Sequence, residues 1–467
     1  MLAMTRYREI TGIHGGDLVY RYTSSIEHDK AIEKQVAFIL AAHLAHLYEK
    51  DLVPRSAVCR LAPVLLEMIK KGNYIKEGYE DVFEAAEAHL EERAGEAAKF
   101  LWLGRSRNDH VSAALRLHAA EKLLELLDGL LAARRALLGL ASRQGGTPII
   151  LHTHQQPSQV GTVACLVLSW EEALSSITRL ALTVLELVTR SPLGASAGAG
   201  TLAPLNPERL SELVGLGSVL PAPYASGSRL DVVMTILVSS LLLAEASRIA
   251  GDLIQYSSPY LGALKIPDEH VATSSAMPHK RNPVTLEVLR ARAAKVAGYA
   301  AGALTIMHGL PYIYNLDLQE ANPLLYASLR DAIEAARILA DVFEKMSFDE
   351  DKLRQLIWEY APVSVELAEL LALRESKAFR EAYAEVAEFL RKRPLSKLAE
   401  ELLGPNWVEK IIELRRTGCK STVNLGRVEA RIALDEKQVS ELAARLRVAR
   451  RRVEELLEEV KNTCIKA

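Results

Sequence analysis

The amino-acid sequence predicts an all-α fold in which a long central helix bundle is flanked by two smaller helical domains. Long stretches of the chain carry apolar residues at spacings of three and four, which is the period of an amphipathic helix. Strand signals are almost absent, and the one candidate strand, 148–151, is too short to anchor a sheet. Several helical stretches approach about 25 residues, which at about 1.5 Å per residue is long enough for an extended bundle. These stretches are 31–48, 111–140, 160–188, 230–256, 283–307 and 325–343.

Two changes in composition divide the chain into three predicted domains. Residues 1–104 form a charged N-terminal domain, residues 105–346 the hydrophobic central bundle, and residues 347–467 a highly charged C-terminal domain. Several helices of the central bundle are apolar nearly all the way round, which a single exposed bundle would not tolerate. We therefore expect other copies of the chain to cover them.

The overall composition indicates a cytoplasmic protein that acts on a small molecule. Its 57 basic and 59 acidic side chains give a net charge of −2, which provides no electrostatic footprint for nucleic acid or an anionic membrane. The four cysteines lie far apart and form no CxxC pair, so they indicate neither a zinc site nor a dense disulfide scaffold. A reducing cytoplasm is the simplest interpretation, and the pairing of Cys419 with Cys464 is left open.

No segment predicts export or membrane insertion. Residues 1–17 carry scattered charges and lack the apolar core of a secretory signal. The apolar run 232–244 is shorter than the roughly 20 residues that span a bilayer. A buried helix is therefore expected there.

The most informative polar segment is 274–283, Ser-Ser-Ala-Met-Pro-His-Lys-Arg-Asn-Pro. Two hydroxyls, two cations and an amide in one loop suit abstraction of a carbon-bound proton, because the loop offers a base and positive charge for the carbanion. Asn282 and Pro283 are expected to be the N-cap and first residue of the next helix, whose positive end favours a carboxylate substrate. Taken singly, each residue could equally be a cap, a solvated charge or flexible filler.

A second polar segment, 104–111, begins another long helix. Ser106 and Asp109 have the S-x-x-D spacing of a capping box, which explains part of the segment. Capping does not explain Arg107 and Asn108. A guanidinium beside a carboxamide at a positive helix end is suited to binding a carboxylate at two points.

A third polar segment, 152–159, contains His152 and His154. A His-x-His pair needs further ligands to hold a metal, and neither HExxH nor a Cys/His cluster accompanies it, so no metal is expected. A capped loop is the plain alternative. The glycine-rich segment 194–201 matches no nucleotide-binding motif, and no cofactor is expected.

The segment 274–283 resembles the signature of the fumarase/aspartase superfamily of lyases, which is roughly Gly-Ser-Ser-x-Met-Pro-x-Lys-x-Asn-Pro. Thr273 stands in place of the glycine. The resemblance implies that Ser274 is the catalytic base and that Lys280 and Asn282 stabilise the carbanion. It also implies a fumarase/aspartase-like fold and a homotetramer whose active sites are shared between subunits.

Four further segments resemble one branch of this superfamily, the argininosuccinate lyases. They are 24–29, 106–111, 153–156 and 314–320, and they occur in the branch's order. The resemblance implies that His154 assists protonation of the leaving nitrogen and is oriented by Glu287. It implies substrate contacts from Ser25, Asp29, Arg107, Asn108, Thr153, Gln156, Asn282, Tyr314 and Gln319.

Several residues depart from the branch's pattern. Phe83 stands where a histidine is usual, His110 where a glutamine is usual, Leu316 where an arginine is usual, and Asn322 where a substrate-binding lysine is usual. The resemblance covers roughly 24–322 and fades in the last third of the chain.

The substrate implied by the resemblance is argininosuccinate, split into arginine and fumarate without a cofactor. The segment 274–283 taken alone looks closer to adenylosuccinate lyases. The alternatives are therefore an adenylosuccinate lyase, a lyase for another fumarate adduct such as aspartate, and a non-catalytic structural protein that retains the fold.

Overall fold

The structure, a computed structural model, describes residues 16–76 and 78–465. The all-α prediction is confirmed, because helices dominate the described chain and its strands form only two two-stranded sheets. Residues 1–15, on which most of the expectation of no secretory signal rests, lie outside the described residues.

The N-terminal part is a group of helices that pack against one another and against the bundle. Two 3₁₀ segments, Lys30–Ile32 and Gly95–Trp102, join them to their neighbours. The α-helices are α1 (Asp17–Thr23), α2 (Ile26–Asp29), α3 (Glu33–Glu49), α4 (Arg55–Lys71) and α5 (Val82–Ala94).

The central bundle consists of five long helices. They are α6 (Arg107–Gln144), α7 (Val163–Val188), α10 (Leu230–Ser257), α11 (Val284–Met307) and α12 (Ala321–Lys345), with the short helices α8 (Pro207–Val214) and α9 (Ala222–Gly227) between α7 and α10. Helix α6 packs against α7 and α12, and α10 packs against α7, α11 and α12. With 38 residues, α6 is about 57 Å long and extends along much of the bundle.

The C-terminal part is a run of short helices followed by one long helix. They are α13 (Glu350–Tyr360), α14 (Ser364–Glu375), α15 (Phe379–Leu390), α16 (Leu395–Leu403), α17 (Trp407–Leu414), α18 (Cys419–Thr422) and α19 (Leu425–Ile465). Helix α19 returns along the molecule and packs against α3, α4, α6, α7 and α8. The division into domains 1–104, 105–346 and 347–467 stays a prediction.

Helix α10 is the one helix among the described residues that is long and apolar enough to cross a membrane. It has 28 residues, so it extends well beyond the apolar run 232–244. The four other long bundle helices pack against it, and Val233, Ile236 and Leu243 are buried there. These contacts are those of a core helix in a bundle.

A β-hairpin contains the segment 152–159, for which a capped loop was the plain alternative, and the structure rules that alternative out. Strand β1 (Pro148–Thr153) pairs antiparallel with β2 (Gln156–Thr162). The second strand was missed because it is short and largely polar, without the alternation that marks a half-buried strand. A smaller ladder joins β3 (Leu264–Lys265) to β4 (Ser347–Phe348).

The hairpin turns through two residues that adopt the left-handed conformation. His154 has φ 53° and Gln155 has φ 59°. Two successive left-handed residues give the turn a twist that matches the strands, and Asn-Gly is the usual choice because other side chains are strained there. The hairpin therefore holds His154 at its tip in a strained backbone conformation, as is common at functional sites.

Two disulfides connect distant parts of the chain. Cys59 of α4 pairs with Cys464 of α19, and Cys165 of α7 pairs with Cys419 of α18, across 405 and 254 residues. Cys419 and Cys464 therefore do not pair with each other. The prediction of a reducing compartment relied on unpaired cysteines. Because all four cysteines form disulfides, they no longer support that prediction.

Arg134 is wholly buried where α6, α7 and α19 meet. Its guanidinium donates hydrogen bonds to Glu171 at 2.8 Å, to Asp435 at 2.6 Å and to Ser175 at 3.1 Å. The next residue, Arg135, forms an exposed pair with Glu436, the neighbour of Asp435. Adjacent arginines thus bind adjacent carboxylates, one pair in the core and one at the surface.

We expect Arg134→Ala to lower the free energy of unfolding by about 3–5 kcal/mol, because it leaves the buried Asp435 carboxylate without its cation and removes one of the two cations that pair with Glu171. The matched variant Arg135→Ala removes an exposed pair and should cost at most about 1 kcal/mol. Denaturant unfolding of both variants measures the difference. Equal losses would contradict the structural importance assigned to the buried pair.

Gln155→Gly should raise the free energy of unfolding by about 0.5–1 kcal/mol, because glycine adopts a left-handed conformation without the strain that a Cβ imposes. Gln155→Ala removes the same polar side chain but keeps the Cβ, so it should not stabilise. Thermal unfolding midpoints of the two variants provide the comparison. A similar gain in both would show that backbone strain at this turn is not the cause.

Candidate active site

A cavity of about 160 Å³ opens between the N-terminal segment, the first turn of α6 and the segment 314–322. Its walls are both polar and apolar, and they include charged groups of both signs. Six of the substrate residues expected from the sequence line it together: Ser25, Asp29, Arg107, Asn108, Tyr314 and Gln319.

Asp29 is buried at one end of this cavity. One of its carboxylate oxygens accepts hydrogen bonds from the Ser25 hydroxyl at 2.8 Å and from the Val82 amide at 3.1 Å. Burial raises the pKa of Asp29 to about 7, although both hydrogen bonds act in the opposite direction. Near neutral pH the carboxyl group is therefore present in both forms, and a bound cation would favour the charged one.

Arg107 and Asn108 lie in the first turn of α6, where the predicted capping box is confirmed. The Ser106 hydroxyl accepts from the Asn108 amide at 3.3 Å, and the Asp109 carboxylate accepts from the Ser106 amide at 3.0 Å. Arg107 already forms an ion pair with Asp81. A substrate carboxylate that binds Arg107 would have to share the guanidinium with this aspartate.

Tyr314 and Gln319 form another part of the cavity wall. The Gln319 amide donates to the carbonyl oxygen of Thr23 at 3.1 Å, which attaches this wall to the N-terminal segment. Burial raises the pKa of Tyr314, while the nearby Arg229 cation lowers it. The phenol is therefore protonated at neutral pH and can donate a hydrogen bond to a ligand.

Two of the departures from the family pattern contact each other. The rings of Phe83 and His110 meet edge to face with centroids 6.0 Å apart. Phe83 is fully buried, and burial lowers the pKa of His110 well below its usual value, so the imidazole is neutral. Phe83 therefore belongs to the core beneath the cavity and is not among the residues that line it.

The other two departures, Leu316 and Asn322, both line the cavity. Asn322 is buried, and its side-chain oxygen has no hydrogen-bond partner among the described residues. An uncharged carboxamide thus lies where the resemblance implies a lysine. Any positive charge that binds substrate in this cavity must therefore come from another residue.

The hairpin places Thr153, His154 and Gln156 at an exposed tip outside the cavity. The hairpin base is fixed, because the Tyr256 hydroxyl donates to the carbonyl oxygen of Ile150 at 2.7 Å. No three-residue cluster of His, Cys, Asp or Glu within the described ranges is arranged to hold a metal ion.

The loop that carries Ser274 and Lys280 also lies outside the cavity, on the surface of the chain. A single antiparallel bridge closes its base, with Ala272 and Asn282 exchanging backbone hydrogen bonds of 2.9 and 2.8 Å. The Ser274 hydroxyl accepts from the backbone amide of Ala276 at 3.2 Å. The loop thus extends from this bridge, and Ser274, the candidate catalytic base, lies two residues after Ala272.

The predicted helix start after this loop is wrong by one residue. Helix α11 begins at Val284, and Pro283 occupies the N-cap position without any side-chain cap. Asn282 cannot be the cap because its backbone is held in the bridge to Ala272. Its carboxamide is therefore not used to start the helix.

One chain thus assembles only part of the predicted site. His154 and Glu287 are both exposed, and no hydrogen bond or ion pair joins them in the part of the chain that the structure describes. The proposed orientation of His154 by Glu287 stays a prediction. In the described chain, neither the hairpin tip nor the Ser274 loop contributes a residue to the cavity lining.

Arg229 is a cavity residue that the sequence analysis missed. It precedes a long apolar helix and belongs to no recognised motif. The sequence did offer one signal, which is that Arg229 and Asp231 directly precede the apolar run 232–244. Charged side chains next to a buried helix need a binding partner if they are buried too.

Comparisons with known proteins point to one enzyme family. Residues 16–298 match the lyase family. An argininosuccinate lyase from Pyrobaculum calidifontis is 41% identical over 85% of this chain and 92% of its own length. One from Pyrococcus furiosus is 34% identical, covering 80% of this chain and 81% of that protein.

Solved structures support the same fold at lower identity. An EDDS lyase variant with bound fumarate has a TM-score of 0.81 and 21% identity, covering 93% of this chain and 92% of its own. A class II fumarase from Schistosoma mansoni has a TM-score of 0.70 and 15% identity over 88% of this chain and 95% of its own. From its sequence relatives and its fold together, the chain belongs to the argininosuccinate lyase family.

Proposed function

We propose that this enzyme splits argininosuccinate into arginine and fumarate by removing a proton and breaking a carbon–nitrogen bond. The observation that carries the proposal is the cavity, where residues from three distant segments meet in the pattern implied by the family resemblance. Their groups suit a zwitterionic substrate, because the cavity contains both a buried carboxyl and guanidinium groups. Relatives that carry the name argininosuccinate lyase support the same reaction.

Ser274 is the proposed base. It removes the proton from the carbon next to a carboxylate, and the electron pair moves onto that carboxylate. A serine hydroxyl needs nearby positive charge to act as a base, and Lys280 lies in the same loop. Lys280 and Asn282, with the positive end of the α11 dipole, would then hold the dianionic carboxylate.

His154 is proposed to help protonate the nitrogen that leaves with arginine. Its position at the tip of a fixed hairpin suits a group that reaches into a neighbouring subunit's cavity. Glu287 would orient the imidazole. One proton is removed from carbon and one is delivered to nitrogen, so the elimination balances. Arginine and fumarate are its only products.

The two ends of the substrate would be bound by different walls of the cavity. Arg107 and Asn108, with Thr153 and Gln156 from a hairpin, would bind the carboxylates of the succinyl half. The arginine half would lie against Ser25, Asp29, Tyr314 and Gln319, which line the cavity. Asp29, whose pKa is raised to about 7, would become fully charged when the guanidinium binds.

A homotetramer with shared active sites is proposed for the assembled enzyme. The hairpin tip and the Ser274 loop lie outside the cavity of their own chain. The bundle also exposes large apolar side chains, including Leu241 on α10 and both Val288 and Leu304 on α11. Covering these faces with other copies would bury apolar surface and bring the three parts of the site together.

The proposed location is the cytoplasm. The near-neutral charge offers no attraction to membranes or nucleic acid, and the proposed substrate is a small molecule. Two disulfides are compatible with this location in a heat-adapted organism, because intracellular proteins of hyperthermophiles retain disulfides.

Ser274→Ala should lower the rate of fumarate formation from argininosuccinate by about 10²–10⁴-fold, since it removes the base. Ser275→Ala is the matched control, because it removes the neighbouring hydroxyl and should leave most of the rate. Ultraviolet absorbance of fumarate measures both. Fumarate from adenylosuccinate or aspartate in place of argininosuccinate would instead support another lyase, and fumarate from none would support a non-catalytic protein.

Mixing two inactive variants tests the shared site. After joint refolding of Ser274→Ala with His154→Asn at equal amounts, about a quarter of the sites should contain both intact residues if these come from different subunits. Activity should return to about that fraction of wild type. Mixing Ser274→Ala with Lys280→Ala is the control, because one loop carries both residues. Recovery in the control, or none in the first mixture, would rule out the arrangement.

A further inference from the structure

Arg229 is a buried cation at the wall of the candidate active site. Only 2% of the residue is exposed, and it lines the same cavity as Asp29, Arg107 and Tyr314. Its guanidinium carbon lies 5.4 Å from the centre of the Tyr314 ring. The cation is thus held deep in the protein but next to space that a ligand can fill.

The guanidinium has no carboxylate partner among the described residues. Its hydrogen bonds go to the backbone carbonyl oxygens of Ser228 at 3.1 Å and Ser226 at 3.5 Å, both from one terminal nitrogen. The nearest acidic residue in sequence, Asp231, instead pairs with the buried Arg116 at 3.1 Å. Arg229 therefore keeps donors available on the side of the cavity.

A buried charge without a counterion is costly to a folded protein. Burial lowers the pKa of Arg229 because the charged form is poorly solvated, and Asp231 offsets this only in part. Proteins retain such a charge where an anion binds, because the ligand then supplies the missing partner. Arg107, the other guanidinium at the cavity wall, already has Asp81 as its partner.

The backbone around Arg229 is packed closely enough to hold it in place. A Cβ on Gly227 would lie 2.4 Å from the carbonyl oxygen of Tyr312 and 2.7 Å from the backbone of Ile313. The turn before Arg229 therefore lies directly against the segment that carries Tyr314. Close backbone contact at this glycine holds the backbone segments that precede Arg229 and Tyr314 against each other.

We propose that Arg229 binds the α-carboxylate of the arginine half of the substrate and so selects an amino acid at that end of the cavity. The inference rests on the proposed lyase function. Asn322, buried and with an unpartnered side-chain oxygen, lies in the same wall and would accept from the α-ammonium group. Arg229 supplies the positive charge that Asn322 lacks.

Inhibition by products tests this assignment in the intact enzyme. Arginine and agmatine share the guanidinium and the chain, but agmatine lacks the carboxylate. Arg229→Met should raise the inhibition constant for arginine by about 10²-fold, because it removes a desolvated charge-assisted pair. The constants for agmatine and for fumarate should stay within about threefold of wild type.

Arg248→Met is the matched control. This arginine lies on α10, the helix that follows Arg229; it is exposed, and its one ion pair in the described structure is with Glu245, three residues earlier. All three inhibition constants should stay within about threefold of wild type in this variant. Circular dichroism and the oligomeric mass of each variant establish that it is folded and assembled.

Several outcomes would overturn the proposal. A larger change for fumarate than for arginine would assign Arg229 to the succinyl half. Equal changes in the inhibition constants for arginine and agmatine, or no change in either, would show that Arg229 does not bind the carboxylate. If Arg229→Met does not fold, Arg229→Lys replaces it in the test, because lysine keeps the charge but lacks the planar guanidinium. Arginine should then bind about tenfold more weakly, and the binding of agmatine should not change.

The result is separable from the test of the overall function. If wild type forms fumarate from argininosuccinate but Arg229→Met treats arginine and agmatine alike, only the role of Arg229 is wrong. If wild type forms no fumarate from argininosuccinate, the proposed function fails whatever the inhibition constants show.

Discussion

The carboxylate of Asp109 is the interaction on which the candidate site depends. It is buried at the start of α6 and accepts hydrogen bonds from three backbone amides, those of Ser106 at 3.0 Å, Ser196 at 2.9 Å and Gly194 at 3.3 Å. The first of these begins the longest helix of the bundle, and the other two attach the glycine-rich segment to it. Burial still raises the pKa of Asp109 to about 6, so these amides only partly replace water.

From this carboxylate a sequence of close contacts reaches the cavity. The glycine-rich segment continues to Gly198, where a Cβ would lie 3.1 Å from the Ser226 hydroxyl and 3.5 Å from Ile313. Ser226 lies in the last turn of α9, three residues before Arg229, and Ile313 precedes Tyr314. The segment 194–201 therefore has a structural function, positioning two walls of the cavity relative to the helix that carries Arg107. This explains why it is rich in glycine but matches no nucleotide-binding motif.

Local sequence patterns predicted the features that depend on neighbouring residues alone, namely the helices and one helix start. Helical periodicity gave the bundle, and the Ser106–Asp109 spacing gave a helix start that the structure confirms. The cap at Asn282 failed because a backbone bridge to Ala272, invisible in the local pattern, holds that residue. Arg229 could not be found because its burial results from tertiary packing. Six of the predicted substrate residues line one cavity, whereas the hairpin tip and the Ser274 loop lie outside it, and the roles assigned to all of them stay predictions.

The nested disulfides change the topology of the molecule. Cys59 and Cys464 close a covalent ring around almost the whole chain, and Cys165 and Cys419 close a smaller ring inside it. Cleavage of any one peptide bond between residues 59 and 464 opens a ring but releases no fragment. A protein damaged in a surface loop would therefore keep its pieces together and at high effective concentration, so a broken backbone need not mean a dispersed active site.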